Sequence, residues 1–75
     1  MLVKLKTRVI SEVPKVSQKT NKPYRVINFM DDNIICNAMC KSECTTPITP
    51  FDEYILTLDV SIKYGSFKIV DIVRA

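Results

Sequence analysis

Apolar and polar residues alternate from the start of the chain. Val3, Leu5, Thr7 and Val9 take turns with Lys4, Lys6 and Arg8. A period of two puts the first set on one face and the cations on the other, which is the pattern of a half-buried strand. The pattern predicts a first strand from about Leu2 to Val13. Pro14 to Pro23 is polar, bounded by prolines and carries Lys15, Lys19 and Lys22, so it reads as a loop. Tyr24 to Met30 is β-branched and aromatic, as a second strand requires, with Ile27 and Phe29 on one face and Tyr24 and Asn28 on the other. The polar members of the second pair mark it as the outer face. Asp31, Asp32 and Asn33 form a tight turn into a third strand, on which Ile34, Cys36, Ala38 and Cys40 share a face.

Lys41 to Asp52 is polar and interrupted by Pro47 and Pro50, too broken for a helix of ordinary length, and reads as a connector. Phe51 within it is expected to plug the barrel end. The clearest alternation follows. Tyr54, Leu56, Leu58, Val60, Ile62 and Tyr64 alternate with Ile55, Thr57, Asp59, Ser61 and Lys63. Gly65-Ser66 suits a two-residue type II′ turn, and Phe67 to Arg74 returns as a fifth strand, with Tyr64 and Phe67 facing each other across the turn.

These elements predict an all-β chain, with no helix-period segment and no internal repeat. Five strands, a long first loop, a connector after the third strand and a closing hairpin match a five-stranded small barrel, OB-fold-like, with an SH3-like barrel as the alternative. The 75 residues make a single domain spanning 1–75. A domain of this size buries only about 60% of its unfolded surface, so its stability is marginal. One glycine and four prolines are too few for a disordered chain at 47% hydrophobic residues. The N-terminal run lacks a signal-peptide core, and no stretch approaches the roughly eighteen apolar residues of a membrane span. With an odd number of cysteines, this predicts a reduced, cytoplasmic protein with no membrane partner.

Charge sharpens the picture. Met1 to Arg25 holds seven cations and one anion, a net +6, whereas Val26 to Ala75 holds four cations and seven anions, a net −3. A basic stripe on strands suits a polyanion, because each phosphate neutralised by Lys or Arg releases condensed counterions. Catalysis has no candidate residues. The chain has no His, no Gly-rich phosphate loop and no G-x-S-x-G, and its paired acids sit where turns favour Asp. Cys36, Cys40 and Cys44 are spaced unlike the paired knuckles of zinc sites, so they are expected to pack as small apolar residues, with no metal and no cofactor.

Single-strand binders combine a cationic groove for the backbone with aromatic faces on which bases stack. Lys4, Lys6 and Arg8 lie on one strand face at about 6.6–7 Å intervals, near the spacing of phosphates, although lysines on a strand also deter edge pairing. Lys15, Lys19, Lys22 and Arg25 surround Tyr24, a candidate stacking residue beside Asn28 on the outer face. Tyr64 and Phe67 flank the last turn and are candidate base contacts or a cross-strand pair.

The run Ser17-Gln-Lys-Thr-Asn-Lys-Pro-Tyr-Arg-Val-Ile-Asn-Phe and the closing Tyr64-Gly-Ser-Phe-Lys-Ile-Val-Asp-Ile resemble the small OB-fold, helix-destabilising, single-stranded-DNA-binding proteins of phages and conjugative elements. The resemblance covers about half of the chain, and Cys36 to Cys44 departs from it. It implies sequence-tolerant, non-catalytic coating of single-stranded DNA, a homodimer or cooperative array, contacts from Lys19, Lys22, Tyr24 and Arg25, and, for a phage-encoded chain, the host cytoplasm. RNA is a further candidate ligand. The alternative is a small β-barrel interaction factor, anti-host or assembly, that binds a protein and no nucleic acid.

Overall fold

The computed structural model describes residues 1–41 and 44–75. It contains five strands: β1 (Leu2–Val16), β2 (Pro23–Asp31), β3 (Ile34–Cys40), β4 (Glu53–Ser61) and β5 (Ser66–Arg74). No helix occurs among the described residues. The strands close into a barrel in the order β1-β2-β3-β5-β4. Three consecutive antiparallel strands, with β4 returning beside β1, make a Greek key, and β5 completes the ring through a short parallel contact with β3 at Met39 and Cys40. The architecture is the all-β, five-stranded closed small barrel that the strand spacing predicted, consistent with an OB-fold-like or an SH3-like barrel.

One long strand serves two neighbours. Leu2–Arg8 pairs with β4, and Arg8–Val16 pairs with β2. The register slips between Val9 and Ser11, leaving Ile10 as a bulge that bends the strand from one neighbour to the other. The bulge also reverses the alternation, so Ser11, Val13 and Lys15 become the outward set. β1 runs three residues past its predicted end because Pro14 lies where β1 has β2 on one side only, a position that tolerates a missing N–H. The predicted loop contracts to residues 17–22, tied by hydrogen bonds from Ser17 N to Lys22 O at 3.0 Å and Asn21 N to Ser17 O at 2.8 Å.

Asp32 and Asn33 both take positive φ, 53° and 67°, the conformation of a type I′ hairpin and one their short polar side chains tolerate. The last hairpin is wider than expected. Val60 stands opposite Phe67 and Ser61 opposite Ser66, so the loop is Ile62–Gly65 and no two-residue turn forms. Gly65, at φ 61°, supplies the left-handed residue that closes this longer loop. Tyr64 therefore sits on the loop, 75% exposed, and does not face Phe67.

Each strand sends residues inward. Val9, Ile27, Phe29, Ala38, Cys40, Tyr54, Leu56, Leu58, Ile69 and Ile72 form the core, joined by Cys44 from the connector. Ile69 and Ile72 both reach it because the β4–β5 register leaves Val70 as a second bulge. Full burial of each large side chain contributes about 1.5–3 kcal/mol, so Leu56→Ala removes about 2–5 kcal/mol of a small total. The Tyr54 hydroxyl, inside the barrel end, accepts a hydrogen bond from Thr49 N at 2.8 Å. Phe51 is not the expected plug. It is 62% exposed, and Ile48 and Cys44 pack on the core in its place. The φ of 70° at Phe51 turns its main chain toward β1, where its N–H donates to Val9 O at 2.7 Å. The part of the connector at 42–43 lies outside the described residues.

Candidate nucleic-acid interface

With Ile27 and Phe29 fixed in the core, alternation directs Tyr24, Val26, Asn28 and Met30 to the outer face of β2. Ile35, Asn37 and Met39 take the matching positions on β3, where the inward set is Cys36, Ala38 and Cys40. Register aligns these residues in rows. Lys15 stands opposite Tyr24, Val13–Val26–Met39 forms an apolar row, and Ser11–Asn28–Asn37 forms a polar one. The Asn28 amide donates to Ser11 Oγ at 3.0 Å, which fixes its side chain within the sheet.

Two cavities lie along this face. One, of about 340 Å³, is lined by Ser17, Thr20, Lys22, Tyr24, Met39 and Lys41 among others; the second, of about 360 Å³, is lined by Met39, Asp59, Ser61, Tyr64, Phe67 and Lys68 among others. Met39 is common to both. A path therefore runs from the 17–22 loop past Tyr24, over Met39, to the 62–65 loop. Tyr24 is half-buried, while Met39, Phe67 and Tyr64 are exposed. The Lys63 ammonium lies 5.4 Å from the Tyr64 ring centroid, a cation–π contact at the far end of the path.

Sequence reasoning overlooked Met39, Lys41 and Lys68. The alternation that placed Cys36 and Cys40 inward already placed Met39 outward. Lys68 had no local signal, since the parallel β3–β5 contact brings it beside Met39.

The cations divide into three groups. Lys22 lines the first cavity, Lys15 stands opposite Tyr24 and Lys19 lies on the 17–22 loop; all three are exposed and form no ion pair among the described residues. The stripe of Lys4, Lys6 and Arg8 runs beside β4 and ends at Arg8, which stands opposite both Glu53 of β4 and Met30 of β2. Its charge is partly offset. Lys6 and Arg8 both approach Glu53, at 3.5 Å and 3.6 Å, and Arg8 also donates to Phe51 O at 2.9 Å.

Arg25, expected to contact phosphate, is engaged by the protein itself. It stands on the inward-facing side of β2, and its side chain is only 16% exposed. The guanidinium donates to Glu12 Oε2 at 2.8 Å, to Thr46 O at 2.7 Å and to Cys44 O at 2.7 Å, tying the connector to β1 and β2. Burial alone lowers the Arg25 pKa; the hydrogen bond to Glu12, with smaller contributions from Cys40, leaves it above its ordinary value. Cys40 lies beneath the same contacts. Its thiol donates to Cys44 O at 3.8 Å, and burial, then the adjacent Cys44, push it up to about 12. At neutral pH it is a thiol packed as an apolar group.

No protein-family model matches the chain, and no curated protein does. The function is therefore argued from the geometry. Among the described residues no helix is long and apolar enough to cross a membrane.

Proposed function

We propose that the protein binds single-stranded DNA without catalysis, holding the strand along the outer face of β2 and β3. The observation that carries this reading is the path over Met39, which joins two cavities of about 340 and 360 Å³ between two loops and is lined by Lys22, Lys41 and Lys68, with Lys15 opposite Tyr24 and Lys19 on the 17–22 loop. Tyr24 offers a π-face at one end, and Phe67 and Tyr64 offer others at the far end. Stacking of this kind is sequence-tolerant because every base has a face to present. The lysines supply the salt-dependent attraction to the backbone. Lys4, Lys6 and Arg8 extend the positive field without lining the path. The sequence resemblance to phage and mobile-element coating proteins supports the same reading and adds a homodimer or cooperative array.

The test is fluorescence anisotropy with labelled oligo-dT, a matched duplex and oligo-U at two salt concentrations. Preference for a single strand, with affinity falling steeply as salt rises, is the expected result. Equal binding to duplex, or none to any oligonucleotide, would overturn the reading. A second reading follows from one observation. β3 contacts β5 only at its end, which leaves the Ile34–Ala38 edge open beside the exposed Ile34 and Ile35. An open edge of this kind suits pairing with a strand of another protein.

A further inference from the structure

β1 and β2 remain paired as far as Val16 and Pro23, past the last core residues that they contribute. The inward-facing side of this overhang therefore has no barrel interior to fill. Glu12, Pro14, Pro23 and Arg25 occupy it, and with Tyr24 and Lys41 they line a cavity of about 370 Å³. Tyr24 also lines the neighbouring cavity of the outer path. Pro23, Tyr24 and Lys41 line both cavities, so a strand on the path reaches this one by turning one base around the Tyr24 ring.

We propose that this cavity is a guanine subsite, in which Glu12 accepts the N1–H and 2-amino hydrogens of the base and Lys41 donates to its O6. The proposal rests on the single-strand reading above. Proline rings and a tyrosine provide flat apolar walls for a purine. The carboxylate is an acceptor only, with about four lone-pair sites, of which Arg25 takes one at 2.8 Å. The same contact offsets the Glu12 charge, so a phosphodiester tolerates its nearness.

Base chemistry makes the choice among the four. The Watson–Crick edge of guanine carries two adjacent N–H donors beside a carbonyl acceptor, the complement of a carboxylate beside an ammonium. Thymine places its single N–H between two carbonyl oxygens, which a carboxylate repels. Adenine and cytosine offer one amino group beside a ring-nitrogen acceptor. On a single strand these edges are free to be read.

The experiment uses the intact protein and labelled oligo-dT of about twelve residues, a length within the range of single-strand sites. Versions carry one central dG, one dA, or one deoxyinosine, which lacks the 2-amino group. The dG strand is expected to bind about tenfold more tightly than the dA strand, with deoxyinosine losing much of that gain. Glu12→Gln is expected to abolish the differences, its fold being checked by thermal melting. Equal affinity for all three strands while oligo-dT still binds would overturn the subsite and leave the coating function standing. No binding to any strand would overturn both. The comparison of dG with deoxyinosine needs no variant, so it stands even if Glu12→Gln loosens the Arg25 contacts.

Discussion

Tyr24 and Arg25 are neighbours in the chain and stand on opposite sides of β2. Tyr24 lines the outer path, whereas Arg25 is turned beneath it and holds Glu12, Thr46 O and Cys44 O. Removing Arg25 leaves two carbonyls and a carboxylate without their donor. Arg25→Ala is therefore expected to lower unfolding free energy by about 2 kcal/mol. Arg25→Lys recovers little of it, because one ammonium cannot reproduce the planar fork. Urea unfolding curves measure both. Unchanged stability with a reduced salt dependence of DNA binding would return Arg25 to the role of a phosphate contact.

Tyr24 carries the opposite expectation. Its ring is half-buried on the outer face and belongs to no core cluster, so its loss should spare the fold. Tyr24→Ala is expected to weaken oligo-dT binding by about 1–3 kcal/mol, the value of one stacked base, with the melting temperature almost unmoved. Tyr24→Phe keeps the ring and most of the affinity. Anisotropy titrations of the two variants decide the matter, and equal affinities for Ala and Phe would remove stacking from the account.

The three groups of cations predict different salt behaviour. Lys22 lines the first cavity and has no ion-pair partner among the described residues, whereas Lys6 lies beside β4 and 3.5 Å from Glu53. Each phosphate neutralised on a single strand adds about 0.7 to the slope of log affinity against log salt. Lys22→Ala is expected to flatten the slope by about that amount. Lys6→Ala changes it less. A larger effect at Lys6 than at Lys22 would place the strand along β1 and β4.

Strands were legible in the sequence wherever one face is buried. The alternation of Tyr54, Leu56 and Leu58 survives intact as the inward face of β4. Bulges were not legible, since Ile10 and Val70 look like any other β-branched strand residue and only the partner strand reveals the extra position. The same slip at Ile10 puts Glu12 on the side of β2 that holds Arg25, so their pairing could not be read from spacing. Phe51 misled because a lone aromatic beside prolines looks apolar enough to bury. The site shows the same division. Tyr24 and the loop lysines follow from local pattern, but the meeting of Met39 with Lys68 depends on a parallel contact between strands far apart in the chain.

The Cys40 thiol makes stability fall at alkaline pH. Its pKa rises from an ordinary 9.0 to about 12 in the folded protein, chiefly through burial. Below about pH 9 the thiol is protonated in both states, and its contribution to stability is complete. Above that, the unfolded chain releases the proton while the folded chain retains it until about pH 12, so unfolding becomes more favourable as pH rises. The informative quantity is the difference between wild type and Cys40→Ala, which isolates this thiol from every other group. The variant should start less stable, because a core side chain is shortened, but lose stability more gently above about pH 9. Alkylation gives an independent readout. Cys36 is partly exposed and Cys40 fully buried, so iodoacetamide near pH 8 should modify Cys36 first and reach Cys40 only as the protein unfolds. Equal rates at the two thiols in the native protein would contradict this environment for Cys40.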